Sequence, residues 1–247
     1  MTGLSINTNG PAMVALRNYA QVGKAVASSL EKLATGSRIN RGADDPAGLI
    51  SSEDLRAALA SLDAESRGME RADAVANVAD GALAEVSELL SDAHAAEVAM
   101  ANTGGMSRAE QDAHQMEIDS ARQSADRIMS TTRFNGERVL NGNTTLSAGG
   151  ESVRIERLET GDLDAAMSQV ATLRGKIGAF QKNVIGSQQR SNAAAIENTA
   201  AAYSAIHDTD YAAEISALTR GQMLQRSTLS VLAMANSLPR HGLNLLA

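Results

Sequence analysis

The 247-residue chain carries a formal net charge of −7 and is 43% apolar, yet only 2% aromatic, so Ala, Leu, Val, Ile and Met must build any core. That palette suits helices that approach closely along their length better than a sheet sandwich. The absence of cysteine excludes disulfides and thiolate sites, and the absence of any Lys/Arg run argues against tracking nucleic-acid phosphates.

The opening MTGLSINTNG has neither a basic n-region nor an apolar h-region, so no ordinary signal peptide is expected. No run approaches the ~20 apolar residues that a membrane span needs, so no membrane insertion is expected either. From Ala12, the positions Leu16, Tyr19, Gly23, Val26, Leu30 and Leu33 alternate steps of four and three, a heptad seam. Thr35-Gly36 reads as its C-terminus.

The stretch Ser37–Leu49, SRINRGADDPAGL, carries adjacent carboxylates. A catalytic acid pair would need a nearby nucleophile or His, and there is none. The better reading is a joint, with Asp45 capping a helix whose first position is Pro46 and with Asp44 favouring the same N-terminal dipole. Heptads resume at Leu55, Leu59, Leu62, Ser66 and Met69. After one phase break they continue through Ala72, Ala76, Ala79, Leu83, Val86, Leu90 and Ala93. Nothing interrupts this run before Gly104-Gly105, which predicts a helix roughly 80 Å long, far beyond the usual three or four turns.

A third helix is predicted from about Arg108 to Thr131. Asn135-Gly136, Asn141-Gly142 and Gly149-Gly150 then punctuate a turn-rich stretch, about 134–158, read as a small β-hairpin region. Leu163, Ala166, Val170, Leu173, Ile177, Phe180 and Val184 restart the heptads. Continued past Gly186, the seam falls on Ser187, Ser191 and Asn198, where the apolar stripe thins. In the last segment, Tyr211 to Leu238, the residues Leu229, Val231, Leu232, Met234 and Leu238 cannot share one helix face. Such a helix needs partners on several sides, which points to self-assembly.

One constellation could hold a metal. His94-x-x-Glu97 and His114-x-x-Glu117 flank the Gly104-Gly105 turn, and an antiparallel hairpin would set His94 level with Glu117 and His114 with Glu97. Di-metal bundles use the opposite order, Glu-x-x-His, so solvated His–Glu pairs are the expectation, with no metal and no cofactor. No HExxH, phosphate loop or GxSxG occurs, so no enzyme is expected.

Both chain ends carry a resemblance. INTN at Ile6–Asn9 and SLEKLATGSRINRGADDPAGL at Ser29–Leu49 resemble the N-terminal signature of bacterial flagellins, with DGAL at Asp80–Leu83 and RFNG at Arg133–Gly136 as further landmarks. Ile206, Asp208, Asp210, Ala212 and Glu214 are similar to the family's I-x-D-x-D-x-A-x-E. Gln222, Leu224, Gln225, Leu232, Ala235, Asn236, Pro239, Leu243, Leu245 and Leu246 resemble its closing Q-x-L-Q…L…AN…P…L-x-LL. Departures include Asp92, where Arg is common, and Ala95, where Glu is common.

The resemblance implies a mainly α fold of long antiparallel coiled-coil helices with a small β-region. The N- and C-terminal helices, 1–42 with 208–247, would pair as an inner-tube domain, and 43–207 would form a rod, without outer domains. Leu16, Tyr19, Val26, Leu30, Leu33, Leu218, Leu224, Leu229, Leu232, Leu243, Leu245 and Leu246 would pack the tube. Arg38, Asn40, Asp44, Asp45 and Pro46 would form the joint between domains.

It also implies an extracellular structural subunit, exported without a cleaved signal peptide, that polymerises with copies of itself into the flagellar filament. Both chain ends are expected to be disordered or frayed until they are buried between neighbours. The export apparatus, an export chaperone, the filament cap and hook-associated proteins are the implied partners. A hook–filament junction protein is the alternative within the same export system, and a helical-bundle metalloprotein the alternative from another class.

Overall fold

The structure, a computed structural model, describes residues 9–102, 104–159 and 161–244. In chain order the elements are α1 (Gly10–Thr35), α2 (Pro46–Ala101), α3 (Arg108–Thr131), β1 (Arg133–Phe134) and β2 (Glu137–Arg138). They continue with β3 (Thr145–Ala148), β4 (Glu151–Arg154), α4 (Leu163–Ala179), a π-helical segment (Phe180–Ile185), α5 (Gly186–His207) and α6 (Tyr211–Asn244). Two compact units result, one from residues up to 58 with those from 199 onward, the other from 59–198.

In the second unit the heptads form the core. Met69, Ala72, Ala76, Ala79, Leu83, Val86, Leu90 and Ala93 of α2 are buried, as are Leu163, Ala166, Val170, Leu173 and Ile177 of α4. The third helix adds Ile118, Ala121, Ala125 and Met129. Its start is fixed by a capping box, in which Ser107 N–H donates to Glu110 Oε2 at 2.7 Å and Glu110 N–H to Ser107 Oγ at 3.3 Å. These bonds hold the Glu110 carboxyl below its ordinary range. Polar contacts lock α2 against the returning chain. Arg174 Nε donates to Asp80 at 2.8 Å, and Gln181 Nε2 to Asp73 at 2.9 Å and to Asn77 at 3.0 Å.

The β-region consists of two hairpins rather than one. Phe134 faces Glu137 across a two-residue Asn135-Gly136 turn, and both turn residues have positive φ (50° and 87°). That geometry matches the strand twist and explains the Asn-Gly pair. Ala148 faces Glu151 across Gly149-Gly150, and Leu146 and Ala148 turn inward with Ile155 to cap the helical core.

Beyond Phe180 the heptad frame departs from the sequence expectation. In the π segment the Gly186 N–H reaches back to Gln181 C=O, which inserts one residue into the helix. The inward face therefore moves one residue on. Ile185 and Asn192 are buried, whereas Ser187, Ser191 and Asn198 are exposed. Asn192 uses its place to donate to the Leu62 carbonyl at 2.8 Å. The stripe that thins at Ser187 is thus an outward face.

In the first unit α1 and α6 pair antiparallel. Asn9 Nδ2 donates to the Ala235 carbonyl at 2.8 Å, and Gly221 lies against Val26. Asn9 also caps α1, accepting from Ala12 N–H at 3.1 Å, and Gly36 ends it in the left-handed conformation (φ 73°) with its N–H on Lys32 C=O. The seam runs through Ala12, Ala15, Tyr19, Val26, Ser29 and Leu33 and, on α6, through Leu218, Gly221, Gln225, Thr228, Leu232 and Ala235. Leu16 and Leu30, expected on it, are instead 57% and 50% exposed, and their places go to Ala15 and Ser29. Small residues let the two backbones approach, and a Cβ on Gly221 would sit 2.8 Å from Val26 Cγ2.

A short two-way bridge closes this unit. Arg38 N–H donates to His207 C=O at 2.7 Å and Thr209 N–H to Gly36 C=O at 2.9 Å, on either side of the Ser37–Asp208 pairing. Ser204 Oγ donates to Asp208 at 2.6 Å. That bond, helped by His207, holds the Asp208 carboxyl below its ordinary range.

Deleting the exposed residue Asn183 removes the insertion while keeping Ile185 and Asn192 inward, so urea-unfolding free energy should change by no more than ~1 kcal/mol. Deleting the exposed Thr172 from α4 rotates everything after it and should abolish the cooperative transition. For Asp208, the depressed folded-state value means that its stabilising contribution is complete above the ordinary aspartate range. It is lost as pH falls through the depressed value. The carboxyl carbon resonance should therefore titrate below a reference aspartate, and Ser204→Ala should move the midpoint upward.

Candidate assembly surface

Because Ala15, Ser29, Gly221 and Ala235 take the closest places in the α1–α6 seam, many larger apolar side chains are left outside. Met13, Val14, Leu16 and Leu30 of α1 are exposed, as are Tyr211, Ile215, Met223, Leu224, Leu229, Val231 and Met234 of α6. Single exposed apolar residues are ordinary on any protein, but a helix pair carrying so many is a surface for another molecule.

The sequence-assigned tube residues fall into two groups. Leu16, Leu30, Leu224 and Leu229 are on this outer surface, while Tyr19, Val26, Leu33, Leu218 and Leu232 are half-buried in the seam within the chain. The backbone of Leu243 lies in α6, and Leu245 and Leu246 fall outside the described residues. Met13, Val14, Ile215 and Met223 belong to the outer surface although nothing in the heptads singles them out. Their signal is an apolar residue off the seam, legible only once the seam is known.

The stretch Ser37–Leu49 is held as a set of interlocking turns. Asn40 Nδ2 donates to Ser37 C=O at 3.0 Å, and Asp44 Oδ2 accepts from Asn40 N–H at 3.2 Å and from Arg41 N–H at 2.9 Å. Arg41 reaches back to Glu31 of α1 at 2.7 Å. The first turn of α2 is secured by Asp45 Oδ1, which accepts from Gly48 N–H at 2.9 Å, with Pro46 at the first helical position. Ile39 is buried beneath, its Cδ1 so near Gly48 that a Cβ there would be 2.7 Å away. Arg38 contributes its backbone N–H, while its side chain is exposed. Both carboxylates are therefore spent on backbone amides.

The His/Glu constellation does not converge. His94 Nδ1 lies 3.4 Å from Asp164 at the start of α4, and His114 Nδ1 lies 3.4 Å from Glu117 one turn along its own helix. Among the described residues no group of three or more His, Cys, Asp or Glu is placed to hold a metal ion. None of their helices is long and apolar enough to cross a membrane.

The family description "bacterial flagellin N-terminal helical region" matches residues 6–145, and "bacterial flagellin C-terminal helical region" matches 160–246. The chain is 30% identical to the flagellin of Halalkalibacterium halodurans, over 98% of this chain and 99% of that one. It is 28% identical to the flagellin of Bacillus subtilis, over 98% and 100%. The flagellar filament 33 kDa core protein of Treponema phagedenis is 30% identical over 98% and 99%. With more than half of its length matched by the N-terminal region alone, this chain belongs to the bacterial flagellin family.

Proposed function

We infer that the chain is the structural subunit of a bacterial flagellar filament, polymerising with copies of itself outside the cell. The observation that carries this is the apolar exterior of the α1–α6 pair. Burying a Leu-sized side chain is worth about 1.5–3 kcal/mol, and Leu16, Leu30, Leu224 and Leu229 are about half exposed on this helix pair. A surface that is not self-complementary about a two-fold axis gives a head-to-tail contact, which propagates as an open helix.

In finer detail, residues 1–42 and 208–247 form the inner tube and 43–207 the rod. Arg38, Asn40, Asp44, Asp45 and Pro46 form the joint between tube and rod in this reading, and the turns that hold them belong to the terminal unit. The short stretch between the two family matches, residues 146–159, leaves room only for a hairpin and favours a subunit without outer domains. The thin seam of small residues supports helices that gain their full stability only between neighbours. The absence of cysteine suits export through a dedicated narrow channel. Export apparatus, chaperone, cap and hook-associated proteins are the partners this requires, and no catalysis, cofactor or nucleic acid enters it.

The test is seeded polymerisation of purified subunits. Leu224→Asp with Leu229→Asp places charge on the exterior and spares the seam. It should keep monomer helicity while raising the critical concentration at least ~100-fold. Leu232→Asp, half-buried in the seam, should block polymerisation and also loosen the terminal unit. A chain ending at Asp208 should keep a folded rod and form no filament. Normal filaments from that truncated chain would overturn the inference.

A further inference from the structure

In the unit formed by residues 59–198, charge is segregated. From Ala72 to Ala101, α2 contains Asp73, Asp80, Glu85, Glu88, Asp92 and Glu97 but no Lys or Arg. Asp73 and Asp80 are engaged by Gln181 and Arg174. Glu85, Glu88 and Asp92 are exposed, and among the described residues no cation lies within ion-pair distance of them. At ~100° per residue they lie within a ~60° arc, on the side of α2 away from Leu83, Val86 and Leu90. Along the axis they cover roughly 10 Å.

Arginines gather elsewhere on the same unit. Arg127 of α3, Arg138 of β2 and Arg157 after β4 line one cleft of about 510 Å³, with Leu140, Met129 and Asp126 also on its walls. All three arginines are exposed. Asp126 offsets one of the three charges, which leaves the cleft net positive.

We propose that the Arg127/Arg138/Arg157 cleft of one subunit receives the Glu85/Glu88/Asp92 stripe of α2 from a second copy. The proposal rests on the filament reading above. Charge complementarity selects the occupant. Three arginines share their cleft with one carboxylate, Asp126, while about two turns of α2 carry three acidic residues and no basic one. Guanidinium groups take carboxylates through two parallel hydrogen bonds, which fixes orientation as well as attraction. Cleft and stripe are different patches of one compact unit, so a copy that offers its cleft to one neighbour and its stripe to the next makes a head-to-tail contact, which continues as an open helix where the rotation does not close. It adds a directional contact within the rod to the non-directional apolar one at the chain ends.

The test is a charge swap read by seeded polymerisation of the full chain. Arg138→Glu with Arg157→Glu should raise the critical concentration about tenfold, and Glu85→Arg, Glu88→Arg and Asp92→Arg together should do the same. Combining the two sets should bring it back to within about threefold of the unaltered chain. If the double arginine variant loses its helical thermal transition, Arg138→Gln with Arg157→Gln should show the same direction with a smaller rise. Wild-type behaviour of either charge-reversed set overturns the proposal. So does a combined variant no better than its parents, the result expected if the cleft instead holds a small anion. Failure of the unaltered chain to polymerise on seeds would overturn the filament reading itself, and the proposal with it.

Discussion

How closely α1 and α6 approach determines the rest of the terminal unit. A helix pair can bury either its large apolar side chains or its small ones, and the choice fixes what is left outside. Here Ala15, Ser29, Gly221 and Ala235 lie between the backbones, and Val26 is so near Gly221 that a methyl group would collide. The gain from such a seam is modest, because little apolar area leaves the water. In exchange, leucines and methionines on both helices remain available to other molecules. The exterior is thus a direct consequence of the interior.

The other unit buries large and small apolar side chains together. Leu83, Val86, Leu90, Val170, Leu173 and Ile177 are buried in a shared core, and the hairpins cover it with Leu146, Ala148 and Ile155. It has what a self-sufficient domain needs, a contiguous core with capped helices. Polar ties at Arg174–Asp80, Gln181–Asp73 and Asn192–Leu62 then fix the register of α2 against the returning chain. One chain therefore combines a unit with a contiguous apolar core and a helix pair that leaves much of its apolar surface exposed.

Much of this was legible in the sequence, for reasons that can be named. Heptads in α2 and α4 were readable because large and small apolar residues share a frame, continuous in α4 and interrupted by one phase break in α2. Asn135-Gly136, Thr35-Gly36 and Asp45-Pro46 were readable because each satisfies a local backbone requirement that few other residues meet. In α1 two frames compete. Leu16 and Leu30 fit one and Ala15 and Ser29 the other, and hydrophobicity alone selects the leucines. Only the partner helix, with Gly221 and Ala235, reverses the choice. The π insertion at Phe180–Ile185 was hidden for a different reason. It leaves no compositional mark, because one wider turn changes only which N–H finds which C=O. The outward group Ser187, Ser191 and Asn198 was its trace, visible as a stripe turning polar without any break in the helix.

Charge acts on this architecture at two ranges. At long range, a net charge of −7 keeps copies apart despite their apolar ends, and salt weakens this repulsion over a Debye length of roughly 10 Å at 0.1 M. At contact, only the local distribution matters, and in the unit of residues 59–198 it is uneven, with an acidic face on α2 and an arginine-lined cleft near the hairpins. Apolar attraction alone would accept many relative orientations of two subunits, since it is proportional to area and indifferent to direction. A growing helical polymer must instead repeat one orientation at every addition. In the contact proposed above, oppositely charged patches on the unit of residues 59–198 supply that selection and the apolar helix pair supplies the driving force.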